Sequence, residues 1–204
     1  MKRIKVLGIT GGVGAGKSTV LSYLEEQCHA RVLQLDQAAH LLMQPGEECY
    51  RRIIEYFGEE ILCEDGTIDR KKLGAVVFKD PQKLQVLNQI VHPAVEKYVD
   101  AEIKKEQELQ RVPFMVLEAA LLLDSHYESV CDSIWYIYAS EEVRSRRLAA
   151  SRGYTSEKTK NMMKNQMSEA QFREKCEFAV DNSSDIIENT YRQIDKGLRT
   201  YGFL

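Results

Sequence analysis

The sequence predicts an α/β fold in which a doubly wound, five-stranded parallel sheet carries an inserted helical subdomain and a helical lid. Five short runs rich in β-branched or aromatic residues alternate with amphipathic helical patterns, which is typical of such a sheet. A glycine-rich segment separates the first run from the first helix. The stretch from 37 to 112 separates the second run from the third, and it is too long for a single crossover.

The five runs are buried-strand candidates, bounded by turn residues. They are IKVLGI (4–9), RVLQL (31–35), FMVLE (114–118), SIWYIYA (133–139) and FAVDN (178–182). We assign the sheet and its flanking helices to residues 1–36, 113–140 and 176–204. No linker or repeat interrupts the chain, so we expect residues 1–204 to form a single domain.

The inserted segment, 37–112, reads as helical. It contains PGEECYRRIIEYFG, then DGTIDRKKLGAVVFKDP, and then an amphipathic run from Gln82 to Gln110, with no strand pattern. Within that run, His92-Pro93 predicts a helix junction, with the His92 ring directed at a ligand. The alternative is a structural histidine.

The segment EEVRSRRLAASRGYTSEKTKNMMKNQ (141–166) is charged, and its Gly-Tyr-Thr break predicts that one helix ends and another starts at Thr155. Its arginines indicate a lid, because cations on a closing element stabilise the charge of phosphoryl transfer. The alternative for any one arginine is a solvated helix face. We assign the lid to residues 141–175.

The segment GITGGVGAGKST, residues 8–19, fits the phosphate-binding pattern G-x-x-x-x-G-K-[ST]. Glycines let backbone N–H groups turn toward a polyphosphate, the lysine neutralises its β/γ charge, and the hydroxyl reaches Mg²⁺. The following helix adds a dipole that favours anions. We therefore predict a P-loop NTPase-type fold whose nucleotide site comprises Gly11, Gly12, Val13, Gly14, Ala15, Gly16, Lys17, Ser18 and Thr19.

Carboxylates follow the predicted strands at the edge where parallel sheets bind ligands. Asp36, after the second strand, could accept a proton from an attacking hydroxyl or help hold Mg²⁺; the alternative is an N-cap of the helix QAAHLLM. Glu118 fits a Walker-B-like carboxylate that holds Mg²⁺, and the alternative is an ordinary strand-end charge. Asp124, after ALLL, is a further candidate.

Composition limits the class of partner. The 204 residues carry 28 Lys+Arg against 31 Asp+Glu, for a formal net charge of -3, so no overall basic field favours nucleic acid. Five cysteines show no C-x-x-C pair or metal-ligand spacing, which is typical of reduced thiols. No apolar stretch is long enough to span a bilayer. We expect a soluble cytoplasmic protein with a small-molecule ligand and no nucleic-acid or membrane partner.

Several segments together resemble the dephospho-CoA kinase family, the last enzymes of coenzyme A biosynthesis. They are GITGGVGAGKSTV, DGTIDRKKLGAVVFKDPQKLQVLNQIVHP, LEAALLLD and QMSEAQFREKCEFAVDNSS, and they cover nearly the whole chain in order. The resemblance implies ATP- and Mg²⁺-dependent phosphorylation of the ribose 3′-hydroxyl of dephospho-CoA, by a monomer or weak homo-oligomer. Carried over by position, it implies catalysis by Lys17, Asp36 and Arg147, nucleotide binding by the P-loop and Asn182, acceptor binding by Asp36, His92 and Asp124, and metal binding by Ser18 and Glu118.

The chain departs from the family pattern at several positions. Gln34 stands where relatives have an aspartate, His40 and Ser151 each replace an arginine, and Ala120 replaces a proline. The alternative function is another P-loop small-metabolite or nucleoside monophosphate kinase. A GTPase switch is disfavoured, because no N-K-x-D or D-x-x-G segment occurs.

Overall fold

The computed structural model describes residues 3–120, 122–124 and 126–204. The five predicted strands form one parallel sheet in the order β2-β3-β1-β4-β5, so the α/β prediction is confirmed. The strands are β1 (Lys5–Thr10), β2 (Arg31–Gln34), β3 (Phe114–Glu118), β4 (Ser133–Tyr138) and β5 (Phe178–Asp181). Three of the pairs, β1 with β3, β1 with β4 and β4 with β5, have a defined parallel register.

Helices connect the strands. In the described ranges they are α1 (Lys17–Glu26), α2 (Leu35–Leu42), α3 (Glu48–Phe57), α4 (Arg70–Val77), α5 (Pro81–Leu109), α6 (Glu141–Arg152), α7 (Ser156–Lys164), α8 (Glu169–Lys175) and α9 (Ile187–Thr200). Short 3-10 helices cover Glu59–Ile61, Leu122–Asp124 and His126–Ser129. None of the helices in the described part of the chain combines the length and apolar character that a bilayer crossing requires.

The chain divides into two compact units, Met1–Leu33 with Glu106–Leu204, and Gln34–Lys105. The first unit holds the P-loop and the helices α6, α7 and α8 of the predicted lid. As predicted, α6 ends before Gly153 and α7 starts after Thr155, whose side chain caps it by accepting from the Lys158 N–H. The second unit is helical, and its β-type pairing is the isolated antiparallel bridge between Leu62 and Ile68.

Burial explains the position of β1 at the centre of the sheet. Every residue of β1 after Lys5 is buried, and Leu7 pairs with Val116 of β3 on one side and Ser133 of β4 on the other. Strands covered on both faces read as continuous apolar runs, which is why the sequence pattern located them. The core of this unit includes Leu7, Ile9, Val20, Leu24, Phe114, Trp135, Ile137, Ile194 and Leu198.

The second unit has its own core, built between α3, α4 and α5. Its buried members on α3 and on α4 are spaced by four residues, as an amphipathic helix requires. The core includes Cys49, Ile53, Phe57, Ile61, Leu73, Val77 and Ile90.

The predicted helix junction at His92 is wrong, because α5 is continuous and contains Pro93. A proline inside a helix costs about 3 kcal/mol, since it removes a hydrogen bond and crowds the preceding turn. Apolar residues on both sides of it are buried, at Ile90, Val95 and Val99. Burying side chains of this size contributes about 1.5–3 kcal/mol each, so packing outweighs the cost of the proline.

Candidate active site

The P-loop connects the central strand β1 to α1. At its end Gly16 adopts a left-handed conformation, with φ 84°, and a side chain there would collide with the amide of Asn182. A residue with a Cβ is therefore doubly disfavoured at this position. The left-handed turn lets the chain pass directly from the loop into the helix.

Backbone donors of the loop remain available to an anion. Within the described residues, the N–H groups of Gly14, Gly16 and Ser18 have no protein acceptor. The helix that follows has no side-chain N-cap and no acidic residue in its first turn. Its N-terminus therefore presents N–H donors and the positive end of the helix dipole, which together suit a phosphate group.

Lys17 lies across the start of the loop. Its Nζ donates a 2.8 Å hydrogen bond to the carbonyl oxygen of Gly11 and lies 3.6 Å from Oε1 of Glu118. Glu118 ends β3 opposite Ile9 of β1 and is only 8% exposed. The register of the sheet thus sets a buried carboxylate beside the P-loop lysine.

The oxygen donors here fit a magnesium ion. Ser18 is exposed in the first turn of α1, and Glu118 supplies a carboxylate from the adjacent strand. No group of three or more His, Cys, Asp or Glu side chains in the described residues could hold a metal ion. Mg²⁺ does not need one, because it keeps several waters and is held by one or two protein oxygens together with substrate phosphates.

The four arginines of α6 fall into two sets by what they contact. Arg144 Nε donates to the carbonyl oxygen of Val13 at 2.8 Å, and Arg147 Nη1 donates to that of Ala15 at 3.5 Å. These two residues are three apart, so they share the helix face that meets the P-loop. Arg146 instead pairs with Asp185 at 2.6 Å, and Arg152 lies over the Tyr154 ring. The lid interpretation thus suits the first pair and the solvated-face interpretation suits the second.

Arg144 is half-buried, and burial lowers the pKa of its guanidinium, while Tyr136 and Glu141 act in the opposite direction. An arginine remains protonated at physiological pH in spite of such a shift. The result is a partly desolvated cation, and such a charge interacts more strongly with a phosphate than a fully solvated one.

Asn182, placed by the end of β5, supports the loop from outside. It is 1% exposed, and its Nδ2 donates to the Ala15 carbonyl oxygen at 2.8 Å. Its Oδ1 accepts a 3.0 Å hydrogen bond from the hydroxyl of Thr190, a buried residue of α9. The predicted nucleotide residue therefore contacts the P-loop backbone.

Asp36 belongs to the second unit. It lies in the first turn of α2, two residues beyond β2, and its side chain is exposed. Gln34 occupies the N-cap position and makes no side-chain capping bond, so the N-cap interpretation of Asp36 is wrong. The helix begins two residues earlier than the pattern predicted, at Leu35, which is buried as the first apolar residue of α2.

His92 is exposed on α5 and lines a cavity of about 450 Å³ in the second unit, together with residues from Pro81 to Pro93 of the same helix. A second cavity, of about 310 Å³, has a mainly apolar lining, and its polar lining residues are His40, Gln44 and Arg70. Asp124 ends a 3-10 helix, and its side chain lies outside the described part of the chain.

The sequence did not single out Arg144 and Gln166, which contact the P-loop, or Thr190, which contacts Asn182. Arg144 could have been selected from its three-residue spacing with Arg147. Gln166 accepts hydrogen bonds from Val13 and Arg144, yet it is an amide in a connecting segment and carries no sequence signal. Thr190 carries none either, because a threonine on an amphipathic helix looks like any other polar position.

Comparison with known proteins gives the family. The family model for dephospho-CoA kinase matches residues 5–188. The dephospho-CoA kinase of Shouchella clausii (strain KSM-K16) is 37% identical over 190 residues, covering 92% of this chain and 94% of the relative. That of Carboxydothermus hydrogenoformans (strain ATCC BAA-161 / DSM 6008 / Z-2901) is 37% identical over 191 residues, covering 94% of this chain and 91% of the relative.

Solved structures agree with the fold. TT1252 from Thermus thermophilus superposes with a TM-score of 0.81 at 29% identity, covering 98% of each chain. A dephospho-CoA kinase from Campylobacter jejuni gives a TM-score of 0.69 at 18% identity, covering 97% of each chain, and supports the fold alone. Since both the family model and the relatives match over nearly the full length, the chain belongs to the dephospho-CoA kinase family.

Proposed function

We propose that the protein transfers the γ-phosphoryl group of ATP to the ribose 3′-hydroxyl of dephospho-CoA, giving coenzyme A and ADP. The observation that carries this proposal is the meeting of three cations, Lys17, Arg144 and Arg147, on the P-loop backbone. Phosphoryl transfer depends on such placed positive charge, because negative charge spreads over the oxygens of the migrating group. Membership of the family supports the choice of acceptor.

The nucleotide half of the reaction uses residues of the first unit. The N–H groups of the P-loop and the α1 dipole hold the phosphates, and Lys17 neutralises the β/γ charge. Arg144 and Arg147 supply cations beside the loop as charge develops. Ser18 and Glu118 would hold Mg²⁺, which when bound offsets the charge of the phosphate oxygens.

The acceptor half uses residues of the second unit. The Asp36 carboxylate takes the proton of the 3′-hydroxyl while that oxygen bonds to the γ-phosphorus and the bond to the ADP oxygen breaks. His92, whose cavity is large enough for part of the acceptor, and Asp124 contribute to acceptor binding. We place the reaction in the cytoplasm, where nucleotides and free thiols are found, and assign it to a monomer or weak homo-oligomer.

An acceptor panel tests the proposal. The purified chain is given ATP and Mg²⁺ with dephospho-CoA, AMP or a nucleoside, and ADP release is followed by a coupled assay. We expect rapid release with dephospho-CoA alone, and none with a folded Lys17→Ala control. Faster turnover with AMP or a nucleoside would favour the alternative, a nucleoside monophosphate kinase or a related small-metabolite kinase.

A further inference from the structure

Gln166 closes a ring of three hydrogen bonds at the tip of the P-loop. Its Oε1 accepts from the Val13 N–H at 3.2 Å and from Arg144 Nη2 at 2.8 Å. Arg144 Nε completes the ring by donating to the Val13 carbonyl oxygen at 2.8 Å. Both backbone groups of Val13 are therefore engaged, and one amide oxygen holds the arginine and the loop together.

The chemistry of the partners fixes the orientation of the Gln166 amide. Both neighbours are donors, so the oxygen must face them and the NH₂ group must point elsewhere. Within the described residues, no acceptor binds the two N–H donors of Gln166 Nε2. The side chain thus faces the loop with its acceptor and leaves a neutral donor group on its other side.

The backbone around Gln166 is held at both ends. Its N–H donates to the Met163 carbonyl oxygen at 3.2 Å, just beyond the end of α7. Two residues later Ser168 begins α8 with a reciprocal capping box to Gln171. The segment therefore has its own local supports, and the bonds to the P-loop are additional to them.

The ring lies over Gly12, next to the loop residue that the P-loop lysine contacts. A Cβ on Gly12 would lie 2.5 Å from Arg144 Nη2 and 2.9 Å from Gln166 Oε1, so both groups sit directly over that glycine. The neighbouring Gly11 carbonyl accepts from Lys17 Nζ, the group that reaches the β/γ-phosphates in this motif. The arginine is thus held near the loop residue that contacts Lys17, the side chain that the motif directs at the β/γ-phosphates.

We propose that Gln166 is a positioning residue for phosphoryl transfer, which fixes the Arg144 guanidinium against the P-loop without neutralising its charge. This assignment rests on the function proposed above. A neutral amide suits the task, because a carboxylate would accept the same two hydrogen bonds but would pair with the arginine and repel the γ-phosphate. The identity of the residue, and not only its hydrogen-bonding capacity, therefore matters.

Two substitutions separate this role from simple structural support. Gln166→Met keeps the length and removes the acceptor, and turnover should fall about tenfold to a hundredfold, less than the loss of a whole transition-state donor. Gln166→Glu keeps the acceptor and adds a charge. It should weaken ATP binding about tenfold while ADP binding, without the γ-phosphate, changes less than about threefold.

Gln171→Met is the matched control, because the same substitution in the same segment removes the capping-box acceptor but nothing at the P-loop. It should lower the melting temperature and leave turnover within about twofold, since a cap affects helix stability. A double-mutant cycle with Arg144→Ala completes the test. If Gln166 acts through Arg144, Gln166→Met should cause little further loss in that background.

Near-wild-type turnover and ATP affinity in folded Gln166→Glu would overturn the proposal, as would a full additional loss of turnover in the double mutant. Binding of ATP and ADP requires no acceptor. If the wild-type chain binds ATP but does not phosphorylate dephospho-CoA, the proposed function fails. The affinities of Gln166→Glu for ATP and ADP, compared with those of the wild type, still decide the role of Gln166.

Discussion

The side-chain amide of Asn182 donates a 2.8 Å hydrogen bond to the carbonyl oxygen of Ala15, so a buried residue beyond the edge strand β5 holds the P-loop from outside. The amide is fixed in turn by the hydroxyl of Thr190 on α9. Two elements distant in sequence from the glycine-rich segment therefore set its shape.

Removal of this support should weaken the binding of all nucleotides. Asn182→Ala removes the shorter of the two side-chain hydrogen bonds to the Ala15 carbonyl and leaves the buried Thr190 hydroxyl without its acceptor. The free energy of unfolding should fall by about 1–3 kcal/mol. Affinities for ATP and ADP should fall together, because the loop backbone binds the phosphates that both ligands share. Isothermal titration calorimetry measures both affinities. Thr190→Val is the milder control, and an unchanged ADP affinity in folded Asn182→Ala would refute the supporting role.

Arg144 should be intolerant of lysine. Arg144→Lys keeps the charge but cannot reproduce the fork that binds Val13 and Gln166 together, so turnover should fall about tenfold to a hundredfold. Arg146→Lys is the control on the same helix. Its exposed pair with Asp185 contributes about 0–1 kcal/mol, and steady-state turnover should stay within about twofold. Equal losses of turnover in the two variants would contradict a specific role of Arg144 and would indicate that α6 is an ordinary charged surface helix.

Local patterns predicted the sheet well. The strands β3 and β4 coincide with their predicted runs to within a residue, because strands buried on both faces must be apolar throughout. The P-loop was predictable for a related reason, since its chemistry requires glycines, a lysine and a hydroxyl at fixed spacing.

Contacts between distant segments could not be predicted. The bond from Asn182 to Ala15 and the bonds of Gln166 depend on how loops pack, and polar residues in loops carry no periodic signal. Pro93 is the opposite case, because the local sequence predicted a helix junction that the structure does not have. The buried apolar face of α5 keeps the helix continuous through the proline. Local preferences are weak compared with the packing of a long helix.

Because Asp36 is not the N-cap of α2, a loss of turnover in an Asp36 variant cannot be attributed to the loss of a cap. Asp36→Asn keeps the size but removes the proton acceptor, and turnover should fall about 10²–10⁴-fold if this carboxylate is the general base. Nucleotide affinity should change little, because the P-loop carries that binding. Steady-state kinetics at saturating acceptor measure the effect. Turnover within about threefold of wild type, with ATP binding unchanged, would remove Asp36 from the mechanism.

Thiol reactivity should single out Cys63, which is exposed. Burial raises the pKa of Cys131 and of Cys176 to about 12, and that of Cys28 to about 11. A raised pKa lowers the thiolate fraction at pH 8, and the thiolate is the reactive form. Iodoacetamide followed by peptide mass spectrometry should find Cys63 alkylated first. Comparable rates at Cys131 in the folded protein would contradict the buried environment of that thiol.

The position of the transferred phosphate tests the central claim most directly. The chain is incubated with ATP, Mg²⁺ and dephospho-CoA, and the product is located by phosphorus and proton NMR. We expect one new phosphate monoester, on the ribose 3′ carbon, formed in equal amount to ADP. A phosphate at another position, or ADP released while dephospho-CoA stays unmodified, would contradict the assignment of this chain as a kinase of the dephospho-CoA 3′-hydroxyl.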